Sequence, residues 1–139
     1  MAELTRKAAR EEAFRLLFET EFQEEQDPVV IYGLAVETRE FSDNAYVKEV
    51  YFGVREHLEE IDALFSKHAK GWKPGRISPV SRSAIRLSIY EMLYRKDVPN
   101  TVSINEAIEL VKKFDDPAAR AFVNGVLNGV KDELVEKDS

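Results

Sequence analysis

Apolar residues recur along the chain at three- and four-residue steps, the spacing that gathers side chains on one face of an α-helix. In the first such stretch, residues 6–22, two alanines, two leucines and three phenylalanines fall on one broad arc of the helical wheel. Arg6, Lys7 and Arg10 fall inside the same arc, whereas three glutamates and one arginine cover the opposite side. The stretch therefore predicts an amphipathic helix whose N-terminal end is basic and overhangs the core.

Five further stretches share this periodicity. They predict a short helix over 29–38, the longest helix over 43–70, a strongly apolar helix from Ser81 to near Asp97, a helix after residue 103 and a last helix after Asp116. No stretch alternates apolar and polar residues in the way that a half-buried β-strand does. We therefore expect an all-α fold, in which the helix that follows Ser81 is the most buried.

Residues suited to helix N-termini accompany most of these stretches, because their side chains accept the unpaired N–H groups of a first turn or fit its backbone. The predicted starts are Pro28 for the second helix, Ser42 or Asp43 for the third, Ser81 for the fourth, the capping box Ser103–Glu106 for the fifth, and Asp116 with Pro117 for the last.

Glycine and proline are concentrated in one connection, GWKPGRISP at residues 71–79. These residue types interrupt helical periodicity. We predict a single domain, residues 1–139, in which this connection is a hinge between two helical halves, about 1–70 and 76–139.

Composition narrows the classes of function. With 139 residues, 44% of them hydrophobic and 33% charged, the chain has the makeup of a globular protein with a core of its own. It contains no run of about 18 apolar residues and no leader pattern, so we expect a cytoplasmic protein without membrane association. Cysteine is absent and only two histidines occur, which argues against a disulfide framework, a zinc site and a cysteine nucleophile. We expect neither a metal nor another cofactor.

The net charge of −6 conceals a segregated pattern. Residues 17–66 carry a net charge of −10, whereas residues 67–90 contain six cations and no carboxylate. Because salt screens charges beyond a Debye length of about 10 Å, a phosphate group responds to the local sign. The negative total therefore does not exclude a nucleic-acid partner.

The chain shows no nucleophile with a base, no carboxylate pair in a recognisable pocket motif and no glycine-rich phosphate loop, so we expect no enzymatic activity. The side chains that stand out suit single-stranded nucleic acid, which binds to cations, stacking rings and amides. Phe18, Phe122 and Trp72 are candidate stacking platforms. Ordinary core positions for the phenylalanines, and a place between the two halves for Trp72, stay open as alternatives. Arg120 and Asn124, four residues apart, share one stripe of the last helix beside Phe122, a stripe that solvent exposure alone also explains.

Three segments resemble the NusB transcription antitermination factor family: AREEAFRLLFETEF at the start, ISPVSRSAIRLSIYEMLYRKDVPNTVSINEAIELVKKF in the middle and AFVNGVLNGV near the end. The resemblance runs through nearly the whole chain. It implies a NusB-like fold of about seven helices, in two three-helix bundles packed across each other. It also implies binding of boxA RNA in nascent ribosomal RNA transcripts, jointly with NusE, a small-subunit ribosomal protein. Assembly with other Nus factors on RNA polymerase follows, without catalysis.

Carried over by position, the family's basic N-terminal motif falls on Arg6, Lys7 and Arg10, and its two aromatic positions fall on Phe18 and Phe122. Two alanines interrupt the basic run here, so we expect weaker RNA binding by the chain alone and more dependence on the partner. Arg120 and Asn124 complete the candidate RNA contacts, as neighbours of the second aromatic.

The resemblance puts the NusE surface toward Arg76, Ser81 and Arg82, and the acidic segment 17–66 is a second candidate because it would attract a basic ribosomal protein. Two other functions stay open. One is a protein-interaction module without specific RNA binding, self-associating as a homodimer when free. The other is the helical domain found in front of RNA cytosine methyltransferases, which we do not expect, because no segment for S-adenosylmethionine follows Ser139.

Overall fold

The computed structural model describes residues 4–39 and 44–138, the side chains of 136–138 excepted. Every regular element in this part of the chain is helical, which confirms the all-α prediction. The α-helices are α1 (Arg6–Thr20), α2 (Pro28–Arg39), α3 (Ala45–Glu56), α4 (Leu58–His68), α5 (Pro79–Tyr94), α6 (Asn100–Phe114) and α7 (Ala119–Asp138), and a 3₁₀ turn, Pro74–Arg76, precedes α5.

The chain divides into two compact units, residues 1–56 and residues 57–139. In the first unit α1 packs against both α2 and α3, and in the second unit α5 packs against α4, α6 and α7. Ten residues of α5 are buried, more than in any other helix among the described residues, which confirms the expectation that it is the most buried helix. The segment 71–79 lies within the second unit, and its role as a hinge stays a prediction.

The predicted long helix over residues 43–70 is wrong, because the chain forms two helices there, α3 and α4. The break falls at His57, whose φ of −104° and ψ of 21° lie outside the helical region. Val54 and Ile61 are fully buried on either side of it. Their spacing matches a continuous helix, so periodicity alone does not reveal the break.

The start of α2 at Pro28 is as predicted, but the start of α5 differs. Ser78 is its N-cap, since its hydroxyl accepts the N–H of Ser81 at 3.2 Å and Pro79 occupies the first helical position. The predicted cap Ser81 lies inside the helix. A proline at the first position fits because its fixed φ suits a helix and its missing N–H has no partner to lose.

The capping box predicted at Ser103 is also wrong, because α6 begins three residues earlier, at Asn100. The Ser103 hydroxyl is buried within the helix and donates to Glu91 Oε1 at 2.8 Å. The last helix begins at Ala119, and the Asp116 carboxylate accepts the N–H of Ala118 just before it, at 2.9 Å. The predicted caps Ser42 and Asp43 lie outside the described residues.

Candidate nucleic-acid interface

The first turn of α1 carries two of the predicted RNA contacts, Arg6 and Lys7, both exposed. This turn contains no acidic residue, and the Thr5 hydroxyl caps it by accepting the N–H of Ala8 at 3.0 Å. The Arg6 guanidinium lies over the ring of Tyr46, 4.5 Å from its centroid. The start of α1 therefore presents two cations, one of which is positioned by a ring from α3.

Arg10 differs from the expectation of a basic overhang, because its side chain is only 4% exposed. It lies one turn further into α1, where α3 packs, and its guanidinium is 5.8 Å from the centroid of the same Tyr46 ring. The overhang thus applies to Arg6 and Lys7 and is wrong for Arg10. Tyr46 itself was missed, since its position in the apolar pattern of α3 marks it only as a core residue.

The aromatic candidate of α1, Phe18, is half-buried and packs edge to face against Phe22 with ring centroids 5.0 Å apart. Phe22 is 64% exposed. Phe18 comes twelve positions after Arg6, which is about 18 Å along a helix axis. Helix α1 therefore carries cations in its first turn, and Phe18 near its last turn packs on the exposed ring of Phe22, which follows the helix.

In the second unit, α7 carries the remaining RNA candidates. Arg120 and Asn124 are exposed and Phe122 is half-buried. The Asn128 side-chain amide donates to both the backbone oxygen and the side-chain oxygen of Asn124, at 2.9 Å each. The bond to the side-chain oxygen orients the Asn124 amide, and the stripe predicted from four-residue spacing is present.

Phe122 and Trp72 together line two clefts of the second unit. Trp72 is 55% exposed. The larger cleft has a volume of about 480 Å³ and is also lined by Arg76, Ser78, Asp115 and Ala119. The smaller, of about 250 Å³, is also lined by His68, Lys70, Ala121 and Gly125. A ring from the 71–79 connection and a ring from α7 thus face the same spaces.

Of the three predicted partner contacts, only Arg76 is exposed. Ser81 is 2% exposed, and its hydroxyl donates to Asp115 Oδ2 at 2.6 Å. Arg82 is half-buried, and its Nη1 donates to the carbonyl oxygens of Pro74 and Ile77, at 2.9 and 2.7 Å. Arg82 therefore holds the connection before α5 in place, and Ser81 is bound to Asp115 at the end of α6. The expectation that Ser81 is a surface contact is wrong.

The Asp115 carboxylate accepts several hydrogen bonds beside the start of α5. Burial tends to raise the pKa of its carboxyl, but hydrogen bonds from the Ser78 and Ser81 hydroxyls and from backbone N–H groups hold that pKa below its ordinary value. The carboxylate thereby ties the start of α5 to the end of α6.

Among residues 4–39 and 44–138, no three histidine or acidic side chains are grouped so that they would hold a metal ion. None of the helices described is both long enough and apolar enough to cross a membrane.

Comparison with known proteins covers almost the entire chain. The NusB family model matches residues 7–132. The transcription antitermination protein NusB of Ruminiclostridium cellulolyticum is 41% identical over 136 residues, which are 96% of this chain and 94% of the relative. NusB of Bacillus subtilis is 39% identical over 131 residues, 94% of this chain and 98% of the relative.

Solved structures agree. NusB of T. maritima superposes with a TM-score of 0.87 at 32% identity, covering 95% of this chain and 94% of that one. The antitermination factor NusB in a complex with NusE and double-stranded RNA superposes with a TM-score of 0.80 at 31% identity, covering 90% of this chain and 94% of that one. The chain belongs to the NusB family.

Proposed function

We propose that this chain is a transcription antitermination factor. It binds boxA RNA of nascent ribosomal RNA transcripts together with NusE and helps to assemble the antitermination complex, with other Nus factors, on RNA polymerase in the cytoplasm. It acts as an adaptor rather than as an enzyme. The relatives that match nearly the whole chain are named for antitermination, and the related complex contains NusE and RNA.

The observation that carries the RNA-binding part is the exposed pair Arg6 and Lys7 in a first turn without carboxylates. Cations at a helix N-terminus oppose the helix dipole and cost about 0.3–1 kcal/mol each where exposed. A phosphate group placed against them reverses the sign of that interaction. The pair therefore contributes more in the presence of an anionic partner than in the free protein.

Three residues of α7, Arg120, Phe122 and Asn124, support the same proposal because they add a ring and an amide to the cations of α1. Phe122 offers a partly exposed ring for base stacking, Arg120 a charge for phosphate, and Asn124 an oriented amide for a base edge. Each of these contacts is one that single-stranded RNA uses.

The proposal is tested by comparing Lys7→Ala with Lys112→Ala, which removes another exposed cation, from α6. RNA affinity is measured by titrating a labelled boxA-like RNA at several salt concentrations. We expect Lys7→Ala to weaken binding by on the order of 1 kcal/mol, as loss of a charge-assisted contact does. The slope of log affinity against log salt falls by about 1 in the same variant. Equal affinities and slopes for the two variants would contradict the proposed contact.

A further inference from the structure

Helix α2 is apolar on two opposite faces. Ile31, Tyr32 and Ala35 are buried within the first unit. On the other side, Val29, Val30 and Leu34 are 65%, 47% and 53% exposed. At 100° per residue these three side chains fall within an arc of about 140°, so they form one stripe along the outer face of the helix.

The stripe is open to a partner. Gly33 falls within the same arc, between Val29 and Val30 on the helical wheel, and a Cβ atom added to it would meet nothing within 4 Å. A helix that is apolar on all sides is normally enclosed by protein, and contiguous exposed apolar side chains mark interaction surfaces. The outer face of α2 therefore has the apolar character of a surface that binds a partner.

The charges around this stripe indicate which kind of partner it binds. Residues 21–37 contain five carboxylates and no lysine, arginine or histidine. Four of the carboxylates, those of Glu24, Glu25, Asp27 and Glu37, belong to exposed residues. Such a surface repels RNA phosphates and anionic membranes, and it repels the same surface on a second copy of this chain. A partner that is both basic and apolar complements it.

We propose that the outer face of α2 is a docking surface for a basic amphipathic helix of a partner protein. The apolar stripe of that helix packs on Val29, Val30 and Leu34, and its flanking lysines and arginines pair with the carboxylates of residues 21–37. This inference does not rest on the proposed RNA contacts, because none of its residues belongs to them.

The test uses the full chain and, as probe, a labelled short peptide of leucine and lysine patterned as an amphipathic helix. Its counterpart has glutamate in place of each lysine. The double variant Val30→Gln/Leu34→Gln removes the stripe, and Val135→Gln is the matched control, because Val135 of α7 is 53% exposed, as Leu34 is. All the altered side chains are exposed, so thermal unfolding is expected to be unchanged and is measured as a check on folding.

We expect the basic peptide to bind wild type and the Val135→Gln control alike, and the double variant about tenfold more weakly or worse. Its affinity for wild type falls as salt rises, and the acidic peptide does not bind. In NMR spectra of labelled protein, the amide shifts induced by the basic peptide concentrate in residues 21–37. Equal binding by the double variant and its control, or equal binding of the two peptides, would overturn the proposal.

Two further measurements test whether RNA or a second copy of this chain binds to this face instead. A boxA-like RNA is titrated against the double variant, and the oligomeric state of wild type is measured over a range of concentrations. The proposal expects unchanged RNA affinity and no self-association through this face. Loss of RNA affinity specific to the double variant would overturn the proposal and assign this face to RNA. A wild-type dimer that the double variant abolishes would overturn it and assign the face to a second copy of the chain.

Discussion

The guanidinium of Arg6 lies 4.5 Å from the centroid of the Tyr46 ring. Tyr46 is 5% exposed and belongs to α3, whereas Arg6 is exposed at the start of α1. A ring of the core thus orients a cation at the surface. This arrangement links the packing of the first unit to the proposed RNA contact.

Replacing the ring therefore affects RNA binding without removing a cation. We expect Tyr46→Leu to weaken binding of a boxA-like RNA about two- to fivefold, because a cation–π contact at an exposed site contributes about 0.5–1 kcal/mol. Tyr46→Phe keeps the ring and serves as the control. Affinities are compared under conditions in which circular dichroism shows all three proteins folded. Equal affinity for the leucine and phenylalanine variants would show that the ring does not position Arg6.

Phe122→Ala separates a stacking role from a core role. Because Phe122 is half-buried beside two clefts, we expect RNA binding to fall by about 1–3 kcal/mol, the contribution of one stacked base. The fully buried Phe65 provides the comparison, since its replacement by alanine should lower the free energy of unfolding by about 3–5 kcal/mol. A stability loss at Phe122 as large as that at Phe65, with RNA affinity unchanged, would assign the ring to the core.

Two glycines of α7 give opposite expectations for one substitution. A Cβ added at Gly129 would lie 2.6 Å from His68 Nδ1, and the ring of His68 is held by Glu133, whose Oε1 is 2.8 Å from Nε2. We expect Gly129→Ala to lower the free energy of unfolding by about 1–3 kcal/mol, as overpacking does.

A Cβ at Gly125, by contrast, meets nothing within 4 Å. Gly125→Ala should therefore raise stability by up to about 1 kcal/mol, the helix-propensity difference between the two residues. Urea unfolding of both variants measures the contrast. Equal effects of the two substitutions would show that α4 and α7 do not approach as closely as described.

The hydrogen bonds that Asp115 accepts predict that the free energy of unfolding depends on pH. The folded-state pKa of Asp115 lies below its ordinary value of about 3.8, so its contribution to stability is present above that value. It is lost as the pH falls through the lower, folded-state pKa. We expect Ser78→Ala, which removes one donor to Asp115 together with the pH-independent N-cap of α5, to be less stable than wild type at neutral pH. The difference should shrink below about pH 4. Urea unfolding at neutral and acidic pH measures it, and a difference that is constant with pH would contradict the assigned hydrogen bonds.

The sequence predicted best those features that depend on the spacing of side chains along one helix. The span of α1, the position of Pro28 and the polar stripe of Arg120 and Asn124 are of this kind. Features that depend on the neighbouring helix were not predicted. The helical wheel places Arg10 on the same arc as Arg6 and Lys7, but only the packing of α3 against its turn of α1 buries Arg10 while the other two stay exposed.

The same limit applies to the second unit. Ser81 resembles a helix cap in the sequence, but the helix begins with Ser78 as its cap and Pro79 as its first residue. The Ser81 hydroxyl instead donates a hydrogen bond to Asp115, which is distant in sequence. The break at His57 was missed because the apolar periodicity of α3 and α4 matches across it. The backbone geometry of His57 ends α3, and a long-range hydrogen bond to Asp115 accounts for the buried hydroxyl of Ser81.

The most direct test of the proposed function is the affinity of this chain for a short boxA-like RNA and for a scrambled RNA of the same composition. Both are titrated with and without NusE, at two salt concentrations. The proposal predicts a preference for the boxA-like RNA that increases when NusE is present, with weak binding by the chain alone. Equal, weak and salt-dependent binding of both RNAs, unchanged by NusE, would reduce Arg6 and Lys7 to a general basic patch and contradict the antitermination role.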